Sequence, residues 1–264
     1  YVFQVFKCLI YVLLTANIFF FYQEESLAVK STFSQGISIT DIIQGFAATL
    51  DTAAWVLLLF LFELNTSEYL KRLNLLNNAF IAKNFIRIFS YGLICYAFFG
   101  YLLKYILLIN IEPFFIEDVC SLVDQGYYLI ENLDEYPFMT ASNCLALSNN
   151  PLFVLSGQAI LGTKSDWQAI QNLGLVDIIN SGTWILIVMI IELEVLFGSK
   201  LLTTRLKFLN LKILKTILYL ILFSAAAFWG FKGDFLDFWD AFLWLVAFFF
   251  IELNLLKIGQ PQTN

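Results

Sequence analysis

Apolar positions along this chain come in long runs, without the alternation of a half-buried strand or the single stripe of a surface helix. The runs inside 213–229 and 241–251 are apolar on every face, as in a helix wrapped by lipid or buried all round. Segments that cross a bilayer must satisfy their own backbone groups, which leaves helices or closed barrels. Barrel strands alternate apolar and polar residues over about ten positions, so these runs read as helices. Stretches of roughly 20 apolar residues suffice to cross, and they predict six spans near 3–22, 45–68, 86–110, 177–199, 212–230 and 237–257.

The polar stretches between the spans fall into two sets. Connections 23–44, 111–176 and 231–236 lie on one side, and 69–85 and 200–211 on the other. The first set carries Glu24, Glu25, Glu112, Glu117, Asp118, Asp124, Glu131, Asp134, Glu135, Asp166 and Asp234 against Lys30, Lys164 and Lys232. The second set, the span ends next to it and the C-terminal end carry Lys71, Arg72, Lys83, Arg87, Lys200, Arg205, Lys207, Lys212, Lys215 and Lys257. By the positive-inside rule the basic side is cytoplasmic, which places both termini inside and 111–176 outside. A bacterial inner membrane or a plasma membrane fits this arrangement.

The second helix of each hairpin repeats a pattern. Asp51-x3-Trp55-x7-Glu63-Leu-Asn, Asn180-x3-Trp184-x7-Glu192-Leu-Glu and Asp240-x3-Trp244-x7-Glu252-Leu-Asn align without gaps. The basic residues that open the following helix keep step, with Arg87 24 positions after Glu63 and Lys215 23 after Glu192. Repetition with matching flanks points to duplication of a whole hairpin. All three copies run in one direction, so they are parallel repeats. The expected fold is an all-α integral membrane protein of about six transmembrane helices, built as three parallel repeats of a helical hairpin. A small outer cap lies between the third and fourth helices. The divisions are 1–110, the cap 111–176, and 177–264.

Composition agrees with a lipid solvent: 60% of the 264 residues are hydrophobic, 18% aromatic and only 14% charged, against roughly 25% charged in soluble domains. Although the chain starts at Tyr1, the first run lacks a small-x-small cleavage site and reads as a retained span rather than a signal peptide. Cys120 and Cys144 share the outer loop and are expected to form a disulfide, while Cys8 and Cys95 fall in spans. A soluble segment of about 65 residues is near the lower limit for an independent core, so the cap is expected to lean on that bridge and on the membrane helices.

If Trp55, Trp184 and Trp244 anchor at the outer interface, then Asp51, Asn180 and Asp240 stand just above them as helix caps. Glu63, Glu192 and Glu252 then lie about 12 Å below, within hydrocarbon. A charge there costs about 2.5–3.5 kcal/mol or more and needs a partner, water or a ligand. The glutamates are therefore candidates to bind an ion or relay protons, with salt bridges to residues such as Arg87 or Lys215 as the alternative. Lys104 is expected to snorkel outward, and Asn17 to bond another helix.

The sequence has no histidine, which removes the commonest general base and metal ligand, and it has no nucleotide-binding or nucleophile-elbow motif. Catalysis is therefore not expected, no metal site is indicated, and no cofactor is implied. Nothing basic gathers on the outer side, which argues against a nucleic-acid partner. The expected partners are the lipid bilayer and other membrane subunits or further copies of the chain. Two functions remain: a channel or carrier for cations or protons using the intramembrane glutamates, or a non-catalytic scaffold or accessory subunit of a larger membrane complex.

Overall fold

Long apolar runs without proline leave the backbone to bond to itself, and the result is mostly helix. The structure, a computed structural model, describes residues 2–32, 42–43, 45–66, 80–147, 150–201, 205–232 and 234–258. Its helices are α1 (Val2–Thr32), α2 (Ala47–Thr66), α3 (Phe80–Ile109), the single-turn α4 (Cys144–Leu147), α5 (Lys164–Leu201), α6 (Arg205–Lys232) and α7 (Phe235–Ile258). Among the described residues, five segments are long and apolar enough to cross a membrane: Gln4–Lys30, Ala47–Leu64, Ile81–Ile109, Lys164–Leu193 and Leu211–Lys232. The chain is accordingly a polytopic membrane protein by helix length and composition. The sixth expected span corresponds to α7, whose side chains are described only through Phe250.

Large apolar side chains stand exposed along these helices, such as Ile81, Phe85 and Ile88 on α3 and Leu220 and Phe223 on α6. In water such faces would drive aggregation, whereas lipid tails cover them at no cost.

Two boundaries differ from the sequence expectation. The first helix continues through Glu24 and Glu25 to Thr32. The fourth long helix begins at Lys164, well before 177. Its start is fixed by a reciprocal cap: the Thr163 backbone N–H donates to Asp166 Oδ2 at 2.9 Å, and the Asp166 N–H donates to Thr163 Oγ1 at 3.3 Å. This is the capping box of a Thr-x-x-Asp segment.

By its contacts the chain divides into two units, Ile18–Ile178, and Tyr1–Asn17 together with Ile179–Asn264. In the 18–178 unit α2 packs along α3. The helices approach closely at Gly100, where a Cβ would stand 2.5 Å from the Ile43 carbonyl oxygen and 3.1 Å from Ala47 Cβ. Only glycine fits there.

The same unit holds the cap, where the all-α expectation is corrected. Strands β1 (Ile111–Phe114), β2 (Tyr128–Leu129), β3 (Leu152–Leu155) and β4 (Ile160–Thr163) form one sheet in the order β1-β3-β4-β2. β1 pairs antiparallel with β3, Ile111 opposite Leu155. β3 pairs antiparallel with β4, and β2 runs parallel to β4 with Tyr128 opposite Ile160. The β3–β4 turn uses Gly157 at φ +77°, a conformation that favours glycine. Short apolar and β-branched segments bounded by proline and glycine pair more readily than they coil.

Beneath the sheet Val119, Leu122, Met139, Cys144, Leu147, Leu152 and Leu161 form a small core. The Cys120–Cys144 disulfide, with Cα atoms 5.2 Å apart, closes it as expected. Trp167, fully buried in the first turn of α5, donates its indole N–H to the Phe153 carbonyl at 3.1 Å. Its ring and Ile130 fill the space that a side chain at Gly162 would need. The cap thus leans on the first turns of α5 as well as on its disulfide.

In the other unit α6 and α7 form a hairpin. Its ring contacts include Trp184 on Phe248, with centroids 4.5 Å apart, and Phe6 on Phe250 at 5.8 Å.

Candidate functional site

The repeated Asp-x3-Trp spacing puts the two side chains one helical turn apart on the same face. In α2 the Trp55 indole N–H donates to Asp51 Oδ1 at 2.9 Å. In α7 Trp244 makes the corresponding bond to Asp240. In α5 the aspartate is replaced by Asn180, whose Oδ1 is buried without a partner among the described residues. The three acids and amides therefore lie inside their helices, not at their starts, because each helix begins earlier than the motif: α2 at Ala47, α5 at Lys164 and α7 at Phe235. As caps they are corrected, since a residue within a helix has no free backbone N–H groups ahead of it to accept from.

The indoles differ from the expectation too. Trp55, Trp184 and Trp244 are all buried within the protein, at 7%, 6% and 6% exposure, whereas an interfacial belt presents its rings to the headgroups. A buried indole N–H needs an acceptor, and in two copies the preceding aspartate supplies it.

Asn17 bonds another helix, as expected. Its Nδ2 donates to Asp240 Oδ1 at 2.7 Å, across 223 positions of sequence but within one unit. Asn17 is 1% exposed, and its Oδ1 has no partner among the described residues. The half-buried Asp240 carboxylate thus receives two neutral donors, one from Asn17 and one from Trp244.

The glutamates are placed less fully. Glu63 on α2 and Glu192 on α5 are half-buried and engaged with neighbours, and they belong to different units. Glu252 lies on α7, with its side chain outside the described residues. Among the described residues no three Asp, Glu or Cys side chains gather at metal-binding distance.

A second polar constellation in the 18–178 unit was not foreseen. Lys104 of α3 reaches the cap carboxylate of Asp134, with Nζ 2.7 Å from Oδ1 and 2.9 Å from Oδ2; the side chains are 14% and 19% exposed. Glu25, Tyr136 and Asp177 lie near enough to act electrostatically on the lysine. Tyr136 donates its hydroxyl to the Leu133 carbonyl at 2.6 Å. Burial, reinforced by the Asp134 carboxylate, pushes the Tyr136 phenol above its ordinary range. Lys104 extends toward the cap and ends in an ion pair that fastens the cap to its helix.

Glu25, 2% exposed, supplies a cap of another kind. One carboxylate oxygen accepts from Ala48 N–H at 2.8 Å, and the other from Thr49 N–H at 3.0 Å and Thr49 Oγ1 at 2.6 Å. The carboxylate from α1 therefore satisfies the exposed donors at the N-terminus of α2, where the helix dipole favours negative charge.

A different surface opens on the cap, where Pro113, Phe114, Phe115, Glu117, Pro151 and Phe153 line a cleft beside β1. Phe115 stands 93% exposed at this edge. No family model, curated protein or solved structure matches the chain.

Proposed function

We propose that this protein handles cations or protons as a channel or carrier, with acidic side chains on its membrane helices as the groups that receive them. The observation that carries this reading is Asp240, a carboxylate on an apolar helix held by Asn17 and Trp244, both neutral donors. Charge on a membrane helix is costly unless something compensates it, and neutral hydrogen bonds compensate only part.

The repeated sequence pattern supports the same reading, because it supplies one glutamate per hairpin at one spacing from the tryptophan, Glu63, Glu192 and Glu252. In the proposed topology the basic connections face the cytoplasm and the disulfide-bonded cap faces an oxidising exterior, as in a plasma membrane or bacterial inner membrane.

The cap cleft favours a second reading, a non-catalytic subunit of a membrane assembly. An exposed phenylalanine beside a short edge strand is a feature that partner proteins cover.

One experiment separates the two. The chain, purified alone and reconstituted in liposomes, is assayed for sodium, potassium and proton flux, alongside Glu63→Gln, Glu192→Gln and Glu252→Gln. Transport predicts flux that falls in at least one variant while the fold survives. No flux from the pure chain, together with a stoichiometric foreign subunit retained in gentle detergent, supports the assembly reading and sinks the first.

A further inference from the structure

We infer that Asn17 and Asp240 form the core of a binding site for a monovalent alkali cation, at the end of the 1–17 and 179–264 unit where α6 turns into α7. This site rests on the reading of the protein as a cation-handling membrane protein, but it stands on binding, not on flux.

The chemistry begins with the orientation of Asn17. Its Nδ2 is spent on Asp240 Oδ1 at 2.7 Å, and the amide is rigid, so Oδ1 stays within a few ångströms of the same carboxylate. That oxygen is buried without a donor among the described residues, on a side chain that is 1% exposed. The amide oxygen is thus a second acceptor carried close to the carboxylate, and a buried acceptor left unmade costs about 1–3 kcal/mol. Hard oxygen ligands of this type select hard cations over the soft metals that thiolates and imidazoles hold.

Charge decides the valence. Asp240 contributes one negative charge, and the groups acting on it are Asn17 and Trp244, neither of them charged. A monovalent ion brings the site to neutrality, whereas a divalent ion leaves net positive charge among apolar helices, which is costly.

The same unit holds other buried polar atoms of a kind that apolar helices rarely tolerate. Asn180 Oδ1, Ser181 Oγ and Trp229 Nε1 are also buried without partners in this unit. Asp234, Asp237 and Asp240 recur at every third position from the α6–α7 turn into α7.

The test uses the whole chain purified in detergent. Binding of radioactive sodium and rubidium is measured by scintillation proximity, and thermal stability is followed as sodium or potassium chloride replaces choline chloride at constant ionic strength. The expected result is saturable binding, a matching rise in melting temperature, and binding weakened about tenfold or more in Asp240→Asn and Asn17→Leu.

Wild-type protein with no saturable binding overturns the site, whether or not the variants fold. So does undiminished binding in a folded Asp240→Asn. If stability instead climbs on acidification with no alkali response, Asp240 takes a proton and the cation site is wrong. Binding without flux in liposomes keeps the site and removes transport; flux without binding loss in either variant removes the site and keeps transport.

Discussion

At Gly100 and Gly92 the same substitution has opposite signs, although both glycines sit within α3. A Cβ at Gly92 meets nothing within 4 Å, whereas at Gly100 it meets the Ile43 carbonyl oxygen at 2.5 Å. Gly92→Ala should stabilise the protein by about 0.5–1 kcal/mol through helix propensity alone. Gly100→Ala should cost about 1–3 kcal/mol, because backbone rather than a yielding side chain must move. Melting in one detergent checks both; equal shifts would mean that α3 does not approach the 42–47 segment this closely. At this scale sequence was a partial guide. The Asp-x3-Trp spacing was visible as a pattern, but its meaning was not, because an intrahelical bond and a cap use the same residue types and differ only in where the helix begins. Asn17 with Asp240 and Lys104 with Asp134 are meetings that no local spacing encodes, since the partners are 223 and 30 positions apart.

The elements were legible wherever lipid dictates them and obscure where a small aqueous fold does. Continuous apolar runs located the cores of α1, α2, α3, α5 and α6, because a bilayer sets a minimum length. The early start of α5 was also written in the chain, as the capping box at Thr163 and Asp166, but the polar residues 164–176 concealed a helix that continues beyond the apolar run. The sheet was missed because its strands are two to four residues long, too short for alternation to register. Such a cap has a core of few side chains, and its disulfide closes a loop across 24 positions. By loop-closure entropy that bridge contributes about 3 kcal/mol, in a model-dependent account. The paired replacement of Cys120 and Cys144 by serine should therefore unfold the cap at lower temperature while the long helices persist. Limited proteolysis should then cut within 111–163 first, and a cap as resistant as the parent would show that α5 and the Lys104–Asp134 ion pair hold it unaided.

For the whole molecule the topology turns on whether α7 crosses the bilayer, since that sets the side on which the residues after it lie. The helix has 24 residues, about 36 Å long at roughly 1.5 Å per residue, against a hydrocarbon core of about 30 Å. Its stretch from Ala241 to Ile251 carries no charge, and Lys257 follows where a cytoplasmic headgroup layer would hold it. Helix length and the position of Lys257 therefore predict a crossing, although Asp240 and Glu252 bound the uncharged stretch. With Cys8 and Cys95 changed to serine, single cysteines at Glu117 in the cap and at Thr263 beyond α7 can be labelled in intact cells with a membrane-impermeant maleimide. A crossing α7 leaves Glu117→Cys reactive from outside and Thr263→Cys reactive only after the membrane is opened. If both react from outside, α7 lies along the membrane surface. Glu252 would then lose its place among three glutamates at one depth, the parallel threefold repeat would fail with it, and the proton or cation path would have to be built from Asp240 and the two remaining glutamates.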